Sequence, residues 1–166
     1  QRQSGNKQYA VARALRNLGG QSSIGFISTY GNTASEAHNH VIGVDVKVGT
    51  SQFQGNKNLG LLLFGLKSTT SGIAKNDHAF GARLAYPNDF LDVLAGFHQI
   101  GKNFHTGIGF VPRLDIRESY CKFTVGPRPR RWGVLKVTAG TSLDYLTNMD
   151  NLLLTRWSNS RSAFSF

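Results

Sequence analysis

The chain has almost no cysteine: Cys121 is the only thiol, so no internal disulfide can form, and a lone cysteine in a strand is expected as a buried small hydrophobe. Acidic residues are also few, 9 against 19 basic ones, and the formal net charge of +10 with a pI near 10.2 predicts attraction to polyanions. Long hydrophobic runs are missing. No stretch approaches the roughly 20 apolar residues that a membrane-spanning helix requires, which excludes a helical membrane protein. Proline is scarce, 4 residues against 19 glycines, and with 11 Phe and 5 Tyr this balance points to a β-rich chain of many turns rather than a helical bundle. A length of 166 residues suits a single domain, 1–166, with a core that needs neither disulfide nor metal. The chain opens on Gln1 with no initiator methionine and no charged-then-apolar leader, as expected of a processed or excerpted sequence.

What is present is alternation. Residues 8–16 lead through Asn17-Leu18-Gly19-Gly20-Gln21 into 23–30, where Ile24, Phe26 and Tyr30 share one parity, so a hairpin is predicted. Residues 40–49 set Ile42, Val44, Val46 and Val48 against Gly43, Asp45, Lys47 and Gly49. Thr50 to Asn58 is read as a polar loop, and the segment 59–66 is apolar on both parities. Strands are predicted again over 79–86 and 90–98, and over 114–125 with a phase change that a β-bulge near Glu118 would produce. The basic turn Gly126 to Arg131 precedes 134–145, where Leu135, Val137, Ala139, Leu143 and Tyr145 alternate with Lys136, Thr138, Gly140, Ser142 and Asp144. Residues 152–158 form a further strand and 162–166 the start of another. The fold class is therefore all-β, an antiparallel meander of about nine strands.

Periodicity alone leaves two architectures open, a membrane β-barrel or part of one, and a soluble β-sandwich. In the barrel reading Asp45, Lys47, Arg83, Lys136 and Asp144 line a polar interior, while Ile42, Val44, Val46, Leu135, Val137 and Ala139 face lipid. Tyr9, Tyr30, Tyr86, Trp132, Tyr145 and Trp157 lie near strand ends, where interfacial aromatics belong. Small residues on the wet parity (Gly25, Gly43, Gly81, Gly96, Gly140) and the alternation of short turns with longer polar loops favour the same reading.

One stretch follows no period. Residues 104–113, F-H-T-G-I-G-F-V-P-R, mix glycine, proline and arginine with Phe104, Ile108, Phe110 and Val111, as expected of a fixed irregular corner between two runs of hairpins whose apolar side chains find cover. Together with Val11-Ala12-Arg13, the run from Gly20 to Gly25 and Gly43-Val44-Asp45, the turn Gly107, Gly109, Phe110, Val111, Pro112, Arg113 resembles the C-terminal β-barrel region of large bacterial cell-envelope proteins. Those proteins carry an N-terminal family-9-like carbohydrate-binding domain followed by a domain of unknown function. The resemblance covers nearly the whole chain, with His105-Thr106 standing where an Asn-Pro-like pair is expected. It implies a segment of a longer barrel in the outer membrane of a Gram-negative-type bacterium, and transfers no catalytic residue and no cofactor.

Candidate sites are weighed against plainer roles. His38 and His40 have a spacing that could serve a metal, but no nearby acid or cysteine completes a set, so a surface pair is expected. Cys121 with His98 or His105 could be imagined as nucleophile and base, and Asp89 with Asp92, or Asp115 with Glu118, as paired acids; neither pattern demands an enzyme, and none is predicted. Arg128, Arg130 and Arg131 beside Trp132 form a patch for an anionic partner, with lipid or lipopolysaccharide phosphate favoured over nucleic acid. Other envelope proteins or the rest of the same barrel are further expected partners. The function expected is that of an outer-membrane barrel component acting as channel, scaffold or envelope binding component; the alternative is a soluble sandwich module that binds glycan or another polyanion.

Overall fold

A computed structural model describes residues 8–33, 38–73, 75–129 and 133–165. Among these there is no helix. The chain forms β1 (Ala10–Gly19), β2 (Ser22–Tyr30), β3 (Asn39–Phe53), β4 (Lys57–Thr70), β5 (His78–Pro87), β6 (Leu91–Ile100), β7 (Ile116–Val125), β8 (Lys136–Thr147) and β9 (Leu153–Ser165). They make one antiparallel sheet in sequence order, β1 to β9, in which each strand pairs only with its chain neighbours. The outermost strands β1 and β9 are not paired with each other.

The hairpin at Gly20-Gln21 shows how local chemistry sets register. Gly20 takes a left-handed φ of 55° at the first turn position, as a type II′ turn requires, and Gly19 pairs with Ser22 across it. From there the ladders run with few interruptions. Register shifts occur only beside turns, between Asn17 and Gly19, Thr50 and Phe53, and Leu146 and Thr147.

Regular pairing sorts the side chains onto two faces. Ile24, Val46, Leu63, Ala82, Phe97, Ser119 and Tyr145 stand side by side on one, each paired with the next. Ile24, Phe26, Ile42, Val44, Leu63, Phe80, Leu84, Phe123, Leu143 and Phe164 on this face are all exposed, so nothing among the described residues covers it. The other face carries the ladder Leu15, Gly25, Asp45, Phe64, Gly81, His98, Glu118 and Leu146, in which large and small residues are interspersed. The apolar inward residues of β4 find room this way, since Phe64 lies over Gly81, where a Cβ would overlap its ring.

The buried core is small and lies at one end of the polar face. Val41, Ala79 and Phe104 form it, with Leu66, Ile100 and Val111 packed alongside. Phe104 and Val111 belong to the connection 101–115 between β6 and β7, which folds back over the strand ends and reaches the β2–β3 connection. Asn39, 1% exposed, is its anchor. The Asn39 amide donates to the His105 carbonyl (2.9 Å) and to Thr70 Oγ1 (2.8 Å), and its oxygen accepts from the Gly107 N–H (2.7 Å). Ser68, equally buried, accepts from the His105 N–H at 3.0 Å. Thr33 donates to the Gly107 carbonyl through both its N–H and its hydroxyl, and Asn103 donates to the carbonyls of Asn76 and Lys75. Gly107 is required where it stands, because a Cβ there would overlap the Gly31 carbonyl.

Several expectations are corrected. Strands β3 and β4 extend well into the segment read as a polar loop, meeting at a tight turn with left-handed Gln54 and Gly55. The pairing of β7 with both neighbours is continuous, so there is no bulge near Glu118; the phase change arises because Leu114 precedes the strand and Ile116 opens it buried on the polar face, opposite Ile100. Residues 153–165 are one strand rather than two, because Ser158, Ser160 and Ser162 continue the ladder with β8. Phe110 finds no cover and is 88% exposed, and the irregular stretch is a connection within one sheet rather than a junction between two runs of hairpins. Cys121 is exposed on the apolar face beside Ala95 and Leu143, not buried.

Asn39 gives the fold its first test. Asn39→Ala leaves the buried Gly107 N–H and His105 carbonyl without partners, and should cost roughly 2 to 4 kcal/mol. Trypsin should then cut at Lys102 and Arg113 faster than in the parent; unchanged cleavage and an unchanged melting point would show that the connection is held by other contacts.

Candidate binding face

The polar face brings together residues that the sequence scatters over six strands. Arg13 of β1, Asp45 and Lys47 of β3, Arg83 of β5, Asp92 of β6, Glu118 and Lys122 of β7 and Lys136 and Asp144 of β8 all share it by register. Asp45, Lys47, Arg83, Lys136 and Asp144 thus lie on one face, spread along it rather than gathered in one pocket.

The acids on this face and at its rim are mostly engaged by bases from other elements of the sheet. Arg13 pairs with Asp45 across Gly25. Lys122 Nζ lies 3.3 Å from Asp92, and His98 Nε2 lies 3.2 Å from Glu118, which also neighbours Asp144. Lys47, Arg83 and Arg161 have no ion pair among the described residues. Where Asp89 and Asp92 approach each other, lysines lie between them and the remaining acids, so Asp89, Asp92 and Glu118 do not form one acidic cleft.

At the rim near the β5–β6 turn a tighter arrangement occurs. Asp89 accepts from Lys136 Nζ at 2.8 Å and from Arg128, whose Nε and Nη2 both lie 2.9 Å from its oxygens. Arg128 is therefore committed to an internal fork rather than presented as a free cation. Arg130, Arg131 and Trp132, which would complete the basic patch, lie outside the described residues, as does Phe166.

The aromatics divide in a way that strand position does not reveal. Tyr30 and Tyr145 stand on the apolar face at the end that carries the longer connections, and Tyr30 stacks on His38. Tyr86 stands on the same face at the opposite end, edge-on to Phe53 with centroids 6.2 Å apart. Tyr9 packs against Gly31. Trp157 differs from these: it pairs with Asp144 and lies on the polar face, 52% exposed. Parity counted from Trp157 within β9 could have shown this, but the sequence reading placed it by strand end alone.

The remaining candidates separate. His38 bonds to Tyr30 Oη and His40 to Ser28 Oγ, each at 2.9 Å, and no group of metal ligands occurs among the described residues. Cys121 and His98 lie on opposite faces of the sheet, which removes them as a nucleophile and base. Asp115 takes a left-handed φ of 56° at the end of the 101–115 connection, and Glu118 is engaged by His98.

Hydrogen bonds from Lys136 and then Arg128 hold the Asp89 carboxyl at a pKa of about 2, below its ordinary 3.8. Because the folded value is depressed, this contribution to stability is complete above the ordinary value and is lost as pH falls from about 3.8 through about 2. An NMR titration should place the Asp89 midpoint near 2, and Lys136→Gln should move it up; an ordinary midpoint in the parent would dismiss the fork. In comparisons with known proteins, no family model matches the chain, and neither a curated protein nor a solved structure is significantly similar to it.

Proposed function

We propose that the sheet is part of an outer-membrane-type β-barrel whose apolar face meets lipid and whose polar face lines an aqueous interior, serving as a channel, scaffold or binding component of a bacterial envelope. The observation that carries this reading is the apolar face: across β2 to β8 it lies uncovered among the described residues, beyond the few hundred Å² that water-exposed apolar patches ordinarily reach. A soluble sandwich would need a second sheet over that face, and the nine strands form one. Strand lengths of 9 to 15 residues suit a bilayer crossed by tilted strands. Tyr30 and Tyr145 at one end, with Tyr86 and Phe53 at the other, mark two interfacial levels. An apolar groove of about 350 Å³ over Gly65, walled by Phe26, Ile42, Val44 and Phe80, has the dimensions and lining for an acyl chain.

Lipid also constrains the edges. Unpaired backbone groups in hydrocarbon cost several kcal/mol each, so β1 and β9 require partners: more strands of the same barrel or another envelope chain. Were they to close on each other, an odd number of antiparallel strands would set them parallel, against the even count of bacterial single-chain barrels. The +10 charge then serves contacts with lipid or lipopolysaccharide phosphate at the rims. The chemistry described gives no grounds for assigning a catalytic reaction.

Extraction tests the reading. A chain that is folded and monodisperse in buffer without detergent would end it. Depth along the strands refines the test: Leu63 lies mid-strand, paired with Val46 and Ala82, so Leu63→Arg should cost roughly 2 to 4 kcal/mol in bilayers. Val137, the second residue of β8, lies near the rim, where an arginine should cost only about 0 to 1 kcal/mol. Lys47→Gln, on the polar face, should be tolerated in the same folding titration.

A further inference from the structure

On the polar face, aromatic rings otherwise have cover: Phe64 lies over Gly81 and Tyr120 over Gly96. Trp157 has none. It stands on β9 directly across from Asp144, in a cleft that also takes in Glu118, Tyr120, Lys122 and Ser142. A second cleft continues from it, sharing Lys122 and Ser142 and adding Asn159 and Arg161 over Gly140. We propose that these adjoining clefts form one binding site for an acidic oligosaccharide, with Trp157 as the stacking platform and Lys122 and Arg161 as the acid-binding pair. This rests on the reading of the face as an aqueous interior.

The chemistry selects the ligand class. An exposed indole in a water-lined cleft offers a flat apolar surface with electron-rich faces, which suits the axial C–H face of a pyranose ring. The groups around it, the Asp144 carboxylate, the Ser142 hydroxyl and the Asn159 amide, supply the mixed acceptors and donors that ring hydroxyls need. Arg161 carries no ion pair among the described residues, and Lys122 is held only at 3.3 Å by Asp92, so both can turn to an incoming carboxylate or sulfate. Trp157 and Arg161 lie four residues apart on one strand, about 13 Å along it, which is longer than one sugar ring and calls for an oligomer. A single-stranded nucleic acid also stacks and carries charge, but successive bases call for several exposed aromatic platforms, and the described lining offers one, Trp157, since Tyr120 lies over Gly96.

The test uses the full chain folded in detergent micelles, with Trp132→Phe leaving Trp157 as the sole indole, and circular dichroism to establish that each variant keeps its β signal. Indole fluorescence is titrated with an oligogalacturonate, a neutral oligosaccharide of equal length, inorganic phosphate and an oligothymidylate. A saturable change with the oligogalacturonate is expected, weakened about tenfold by Arg161→Gln or Lys122→Gln, in keeping with loss of one charge-assisted hydrogen bond. Trp157→Ala, followed by calorimetry, should abolish binding, and Trp157→Phe should retain part of it. The proposal is overturned by no saturable change, by neutral oligosaccharide, phosphate or oligothymidylate binding as tightly, or by charge variants that bind like the parent. Failure of the membrane reading shows separately, as a chain folded without detergent.

Discussion

The structure depends on one constraint, the satisfaction of backbone hydrogen bonds by sequence neighbours alone. Every strand from β2 to β8 has both edges occupied, and no strand is held by a distant partner. The connections between paired strands can therefore be short where nothing else is asked of them, as at Gly20-Gln21. Among the described residues no second layer buries the apolar face of this sheet. The same ladder that stabilises the interior strands makes β1 and β9 open, and it is at these two strands that the residues on both faces are exposed.

The polar face is organised by size as much as by charge. Glycines on one strand receive large side chains from the next, Phe64 over Gly81 and Tyr120 over Gly96, so the face is partly filled by its own residues. At one end the 101–115 connection adds a layer, with Phe104 in the small core and its backbone tied to Asn39, Ser68 and Thr33. A polar anchor is appropriate there. The connection has no ladder of its own, and buried carbonyls and N–H groups that lack a strand partner must find side-chain partners instead.

The number and order of strands were legible in the sequence because period-2 alternation survives wherever one face is apolar: Ile42, Val44 and Val46 against Gly43, Asp45 and Lys47 needed no further information. Legibility failed where alternation carried no hydrophobic signal. Ser158, Ser160 and Ser162 are polar strand residues at the sheet edge, so β9 looked like two fragments, and residues 50–53 were taken for loop for the same reason. Charge parity found the polar face, including Arg83 and Asp144. It could not find the pairings, since Arg13 with Asp45 and Lys136 with Asp89 depend on which strands are neighbours. The irregular stretch was recognised as fixed, but its inward course over the strand ends follows from Asn39, a polar residue that nothing in the local sequence marks as buried.

The excess of positive charge is not spread evenly over these elements. Asp92 and Glu118 are each met by a base on the adjacent strand, Asp45 of β3 by Arg13 of β1 across β2, and Asp89 at the rim by two. What remains on the polar face is a set of cations without ion pairs among the described residues: Lys47 and Arg83, which flank Leu62 of β4, and Arg161 of β9. Paired charges cancel within a few ångströms, whereas unpaired ones set the potential that an approaching solute meets, and low-dielectric walls on either side would focus it. Salt weakens such a field over about 8 Å at physiological ionic strength, so its reach matches the width of a cleft rather than that of the whole sheet. The unpaired cations of this face thus stand at two places, Lys47 and Arg83 on one side and Arg161 beside Trp157 on the other, while Asp45, Asp92 and Glu118 are engaged by bases.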